Sequence, residues 1–318
     1  MVDRANKPSA IAPSPGLPQP RVNLSDDNSR VTATLPTGES VEILLHGATV
    51  ISWKSGGVEN LWLSEKAVLD GSKPVRGGIP VVFPVFGGPP ANHATSTLPS
   101  HGFARNSRWE YLGKSTSESG ALSKGGDDCV KLDFGLYTAT LSEEAKKAWP
   151  YDFGLVYSVT LGKDGLQTML NVRNEGKVAF EFQMLLHSYF RVKDVSKVAV
   201  KGLTGVTYID KVLNAQIATE SNPAVRITGE TDRVYQSIPQ DTTSIVEADQ
   251  PRYDVVRDNL EDSVVWNPWK EKAASIGDFE PKNGYINMIC VEVGSVKGWQ
   301  KLDGGETFEG GQIIRSSP

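Results

Sequence analysis

The sequence predicts a mainly β protein of antiparallel strands, a sandwich or a barrel. Three observations carry that expectation. Short alternating apolar runs recur along the chain, clusters of Gly, Asn, Asp, Ser and Pro separate them, and long helical periodicity is almost absent. At 318 residues the chain is long enough to bury a large core in one or two domains, and single-domain sandwiches and barrels of this size are common.

The opening stretch carries Pro8, Pro13, Pro15, Pro18 and Pro20 and lacks the apolar core of a secretory signal. It reads as a disordered proline-rich tail over residues 1–20, followed by one domain over residues 21–318. Next comes Lys73 to Pro84, in which Arg76 stands before Gly77, Gly78 and Pro80, and then Ser100 to Arg105, which adds His101. Glycine lets the main chain approach a ligand closely and proline fixes the backbone, so these cations sit in loops of defined shape. That is the composition of an anion or sugar pocket; a proline-bent strand entry with a solvent-facing arginine is the alternative. The Gly/Ser/Asp-rich residues 115–128 read as a long exposed loop.

A helix is expected over Ser142 to Trp149, where Ser142 caps, Glu143 and Glu144 fill the first turn, lysines follow and Pro150 stops it. Phe153, Leu155, Tyr157, Val159 and Leu161 then share one strand face. Leu166, Thr168, Leu170 and Val172 share another, ahead of a turn at Asn174 to Gly176. From Val178 to His187, alternation sends Val178, Phe180, Phe182, Met184 and Leu186 to one side. Glu181, Gln183 and His187 fall on the other, with Tyr189 and Arg191 continuing that mixed face. Such a face either meets water or lines a cavity. The near-apolar run Gly284 to Gly294 reads as a strand that puts Glu292 on the face of Ile286, Met288 and Cys290. Carboxylates are rarely buried there unless paired or catalytic; otherwise Glu292 turns into solvent at Gly294.

Composition narrows the partners. A net charge of −5 argues against a nucleic-acid binder, and no apolar run approaches the ~20 residues of a membrane span. Cys129 and Cys290 form no CxxC pair and no Cys/His cluster, so neither a disulfide framework nor a structural metal is indicated, and both read as buried thiols. A cytoplasmic protein, working as a monomer on a small molecule, is expected.

Taken in order, Ser52-Trp53, Leu61 to Ser64, Pro74 to Pro84, His101 to Arg105, Leu186 to Phe190, Glu230 to Tyr235, Trp266 to Trp269 and Cys290 to Glu292 resemble the glucose-6-phosphate 1-epimerases. These are hexose-6-phosphate mutarotases of the aldose 1-epimerase superfamily, and the resemblance runs from about Val41 to Ile314. It implies a galactose-mutarotase-like β-sandwich and an isomerase that interconverts α and β anomers of hexose 6-phosphates without a cofactor or metal. His187 and Glu292 match the family's catalytic pair. Arg76, His101, Arg105 and Asp232 match its substrate-contacting positions, as does Ser100, where the family often has glutamine. Val293 stands where proline is expected, so substrate preference is less fixed than reaction type. A neutral-sugar aldose 1-epimerase and a non-catalytic carbohydrate-binding protein are the alternatives.

Overall fold

A computed structural model describes residues 18–115, 122 and 129–317. Most of the tail over residues 1–20 and of the loop over residues 115–128 lies outside the described residues. The strands form three antiparallel sheets of five, nine and eight strands, which bears out the mainly β expectation.

The predicted meander is the centre of the nine-stranded sheet. Phe153–Gly162 pairs with Gly165–Asn174 in unbroken register, Leu161 opposite Leu166 and Leu155 opposite Val172. Every residue of the two predicted apolar faces is fully buried, Thr168 included. The eight-stranded sheet runs Gln216–Thr219, Thr207–Asp210, Thr231–Tyr235, Asp262–Asn267, Met288–Leu302, Phe180–Leu186 and Val81–Val82, with Tyr189–Arg191 also paired to Met288–Leu302. Phe182, Met184, Leu186, Val291 and Val293 of this sheet join Leu155, Tyr157 and Leu170 of the other in one apolar cluster. Two sheets that share a core through alternate residues make a sandwich. The remaining faces of the eight-stranded sheet are then free to build a site.

The predicted helix forms as Glu143–Ala148, with the Ser142 hydroxyl accepting from the Ala145 amide at 3.2 Å. Three expectations are corrected. Val178 is 68% exposed, because the strand starts only at Phe180. Gly284–Asn287 is a 3-10 turn, and the strand that follows starts at Met288 and runs through Gly294 to Leu302, which leaves Glu292 inside a strand. A second helix, Trp269–Ser275, has no counterpart in the sequence reading; only Ala273 of its seven residues is buried, so it carries no apolar stripe to betray it. No helix among the described residues is long and apolar enough to cross a membrane.

Candidate active site

The site grows from the pairing of Phe180–Leu186 with Met288–Leu302. Leu186 stands opposite Val293, so the next positions, His187 and Glu292, fall opposite each other. Opposed residues of antiparallel strands project to the same face. Ile289, Val291 and Val293 point into the core, so Met288, Cys290 and Glu292 must take the other side. His187 Nδ1 lies 3.4 Å from Glu292 Oε1, with side chains 12% and 2% exposed.

Three loops close a pocket of about 240 Å³ over this pair, lined by Arg76, Phe86, His101, Arg105, His187, Lys211, Asp232, Val264, Trp266 and Glu292. The Arg76 loop is pinned where Gly78, at φ +69°, passes so close to the Val50 carbonyl that a Cβ would collide with it. Arg76 is aimed by Asp278, which accepts from its Nε at 3.1 Å, and by the Tyr189 hydroxyl at 3.4 Å from Nη1.

His101 adopts φ +66° and Gly102 φ +71°, so the chain turns sharply under Phe83. The His101 Nδ1 accepts from the Gly87 amide at 3.3 Å, which leaves the ring proton on Nε2. Arg105 donates from Nη2 to the Ser100 carbonyl at 3.1 Å. Tyr189 stacks beneath His187 at 4.6 Å with planes 9° apart, and Trp266 stands edge-on to both rings.

Burial governs the electrostatics. It pushes the Glu292 carboxyl well above the ordinary range, with help from Asp232, while Lys211 and Arg105 oppose the shift. Burial likewise pulls the His187 imidazole well down, reinforced by His101, Arg105 and Arg76. His101 is drawn down to about 3, by burial first and then by Arg105, Lys211 and Arg76. Asp232 is raised by burial against the pull of Lys211. Three polar atoms here are buried without a hydrogen-bond partner: His187 Nδ1, Glu292 Oε2 and Arg105 Nε. Unpaired buried polar atoms are costly, and a cluster of them marks a place where a polar ligand completes the bonding. His187, Cys290 and Glu292 also bring donor atoms of metal-ligating type within 4.8 Å of one another.

Six of the seven residues singled out in the sequence therefore line one pocket: Arg76, His101, Arg105, His187, Asp232 and Glu292. Ser100 does not; it is exposed and serves the site through its backbone carbonyl. Arg191 leaves the mixed face to donate to the Leu61 carbonyl. Alternation turns Arg233 to the side opposite Asp232, where it meets Asp210 at 3.1 Å and Glu220 at 3.4 Å. Trp266 lines the pocket, whereas Trp299 stacks on His93 at 3.5 Å. Sequence reading missed Phe86 and Lys211. Nothing marks either, since both sit in irregular segments whose direction only the fold decides.

A family model for aldose 1-epimerase matches residues 29–315. The chain belongs to the aldose 1-epimerase family. It is thus an isomerase, on the sandwich that the resemblance implied. Two relatives designated “Putative glucose-6-phosphate 1-epimerase” align with it. The one from Cenchrus ciliaris is 34% identical over 87% of this chain and 81% of its own. The one from Escherichia coli K12 is 38% identical over 81% and 80%. A crystal structure described as a “putative mutarotase” from Salmonella typhimurium superposes with a TM-score of 0.77 at 31% identity, covering 94% of each chain. In this epimerase fold Glu292 lies on a strand and His187 just past the end of its neighbour, while the cations come from the loops around them.

Proposed function

We propose that the protein is a hexose-6-phosphate mutarotase in which Glu292 is the base and His187 the acid. The observation that carries this reading is the buried contact between His187 and Glu292, in a pocket that Arg76, Arg105 and Lys211 also line. Interconverting anomers requires a proton to leave the C1 hydroxyl while another reaches the ring oxygen O5. The C1–O5 bond breaks, the C1 aldehyde forms, rotation about C1–C2 turns its other face, and the same steps in reverse close the ring.

With both groups pushed toward neutrality, the resting pair holds its proton on the carboxyl. Moving that proton across the 3.4 Å gap produces carboxylate and imidazolium, the forms that the first step needs, with no change in total charge. The proton taken from C1–OH by Glu292 and the one given to O5 by His187 balance, so the enzyme is regenerated at ring closure. His101, a neutral donor through Nε2, and Asp232 orient ring hydroxyls. Arg76 and Arg105 meet the phosphate, because guanidinium forks bind phosphate oxygens bidentately and keep their charge. The reading includes a single domain over residues 21–318, supported by one apolar cluster that reaches from Val31 to Ile314. It also includes a cytoplasmic monomer that needs no cofactor.

The test is NMR exchange between α- and β-glucose 6-phosphate, run beside free glucose, with wild type and Glu292→Gln. Exchange faster for the phosphorylated sugar and reduced ~10²–10⁴-fold in the variant is the expected result. Acceleration confined to free glucose would replace the reading with a neutral-sugar epimerase.

A further inference from the structure

We propose that Lys211 is the residue that makes this pocket select a phosphorylated sugar; the inference rests on the mutarotase reading above. Lys211 opens the turn between Thr207–Asp210 and Gln216–Thr219, and its backbone is fixed from two sides. The Asp210 carboxylate accepts from the Val212 and Leu213 amides at 3.1 and 3.2 Å, and the Lys211 amide donates to the Asp232 carbonyl at 2.8 Å. The side chain reaches the pocket with Nζ 3.9 Å from the centre of the Phe86 ring.

The charges of the pocket give this ammonium its weight. Arg76, Arg105 and Lys211 face two carboxylates, Asp232 and Glu292. Arg76 is already matched by Asp278. Lys211 meets a ring face rather than a carboxylate, so its charge remains available. Of the two arginines proposed to meet the phosphate, Arg76 is shared with Asp278, and Lys211 adds a third cation toward a group that carries nearly two negative charges. The position fits as well. Lys211 is the exposed cation of the lining, placed to meet a substituent remote from the buried pair. A flexible ammonium suits a group that swings in from solvent.

The test compares kcat/KM for glucose 6-phosphate and for free glucose, measured as anomer exchange, in wild type, Lys211→Met and Lys211→Arg. Methionine keeps the apolar stem against Phe86 and removes the charge. The ratio of phosphorylated to free sugar is expected to fall ~10–100-fold in Lys211→Met, as loss of a hydrogen-bonded charge does, and to recover most of that in Lys211→Arg. Raising ionic strength should depress phosphate turnover less in Lys211→Met than in wild type. A wild-type preference that survives intact in Lys211→Met overturns the inference and leaves the mutarotase reading standing. A wild type with no preference for the phosphorylated sugar overturns both.

Discussion

Replacing His101 by asparagine isolates the cost of keeping an imidazole neutral inside the pocket. Asparagine tolerates the φ of +66° at this position, and its Oδ1 can accept from the Gly87 amide as Nδ1 does, so the turn is retained while the titrating group is lost. In the unfolded chain the imidazole takes up its proton near the ordinary 6.5, whereas in the fold it does so only at about 3. A histidine held down in this way leaves stability intact above its unfolded value and drains it as pH falls from there toward the folded value. At about pH 5 the drain amounts to about 2 kcal/mol relative to about pH 8. With an unfolding entropy of about 2.1 cal/mol/K per residue, a chain of 318 residues should lose about 3 °C of Tm. The assay is thermal unfolding of wild type and His101→Asn at both pH values. The Tm difference between the two proteins should shift by that amount in favour of the variant on acidification, because groups that do not interact with His101 cancel in the comparison. A shift of zero, or one of opposite sign, would refute the idea that the ring is buried neutral.

Further outcomes follow from the same pocket. Glu292→Gln should unfold at a higher temperature than wild type near neutral pH, since a buried carboxyl with a raised pKa costs the fold stability as pH rises above the ordinary 4.5. That gain should vanish at about pH 4, which calorimetry across the range would show. Gly102→Ala should cost more than ~2 kcal/mol in urea unfolding, because it places a Cβ at φ +71° against the Phe83 carbonyl.

How far the sequence revealed this molecule differs by level. The buried faces of the hairpin at residues 153–174 were legible, because period-2 alternation with one wholly apolar face admits only one burial; its residue pairing came with the structure. His187 and Glu292 were legible as polar groups out of keeping with their strands, which is the trace that a site leaves on a regular pattern. Their identity as partners was not, since strand pairing across 105 residues is set by the whole sheet and by nothing local. Ser100 shows the converse error: a side chain was expected where the fold uses a carbonyl. Lys211 left no trace at all, for a lysine beside a turn looks like any solvated surface residue until the Asp232 strand is laid next to it.

The opposition of Leu186 and Val293 has one more consequence. The spacing of the proposed acid/base pair is inherited from the interstrand distance of a sheet, whereas Arg76, His101, Arg105 and Lys211 all hang from connections outside the long strands. Chemistry and substrate choice are therefore mechanically separate. Connections of this kind tolerate replacement far better than a central strand does. Exchanging the segments around Arg76 and Lys211 for others of equal span should redirect the enzyme to differently decorated sugars while its proton-transfer machinery stays in place, an arrangement open to both natural divergence and laboratory grafting.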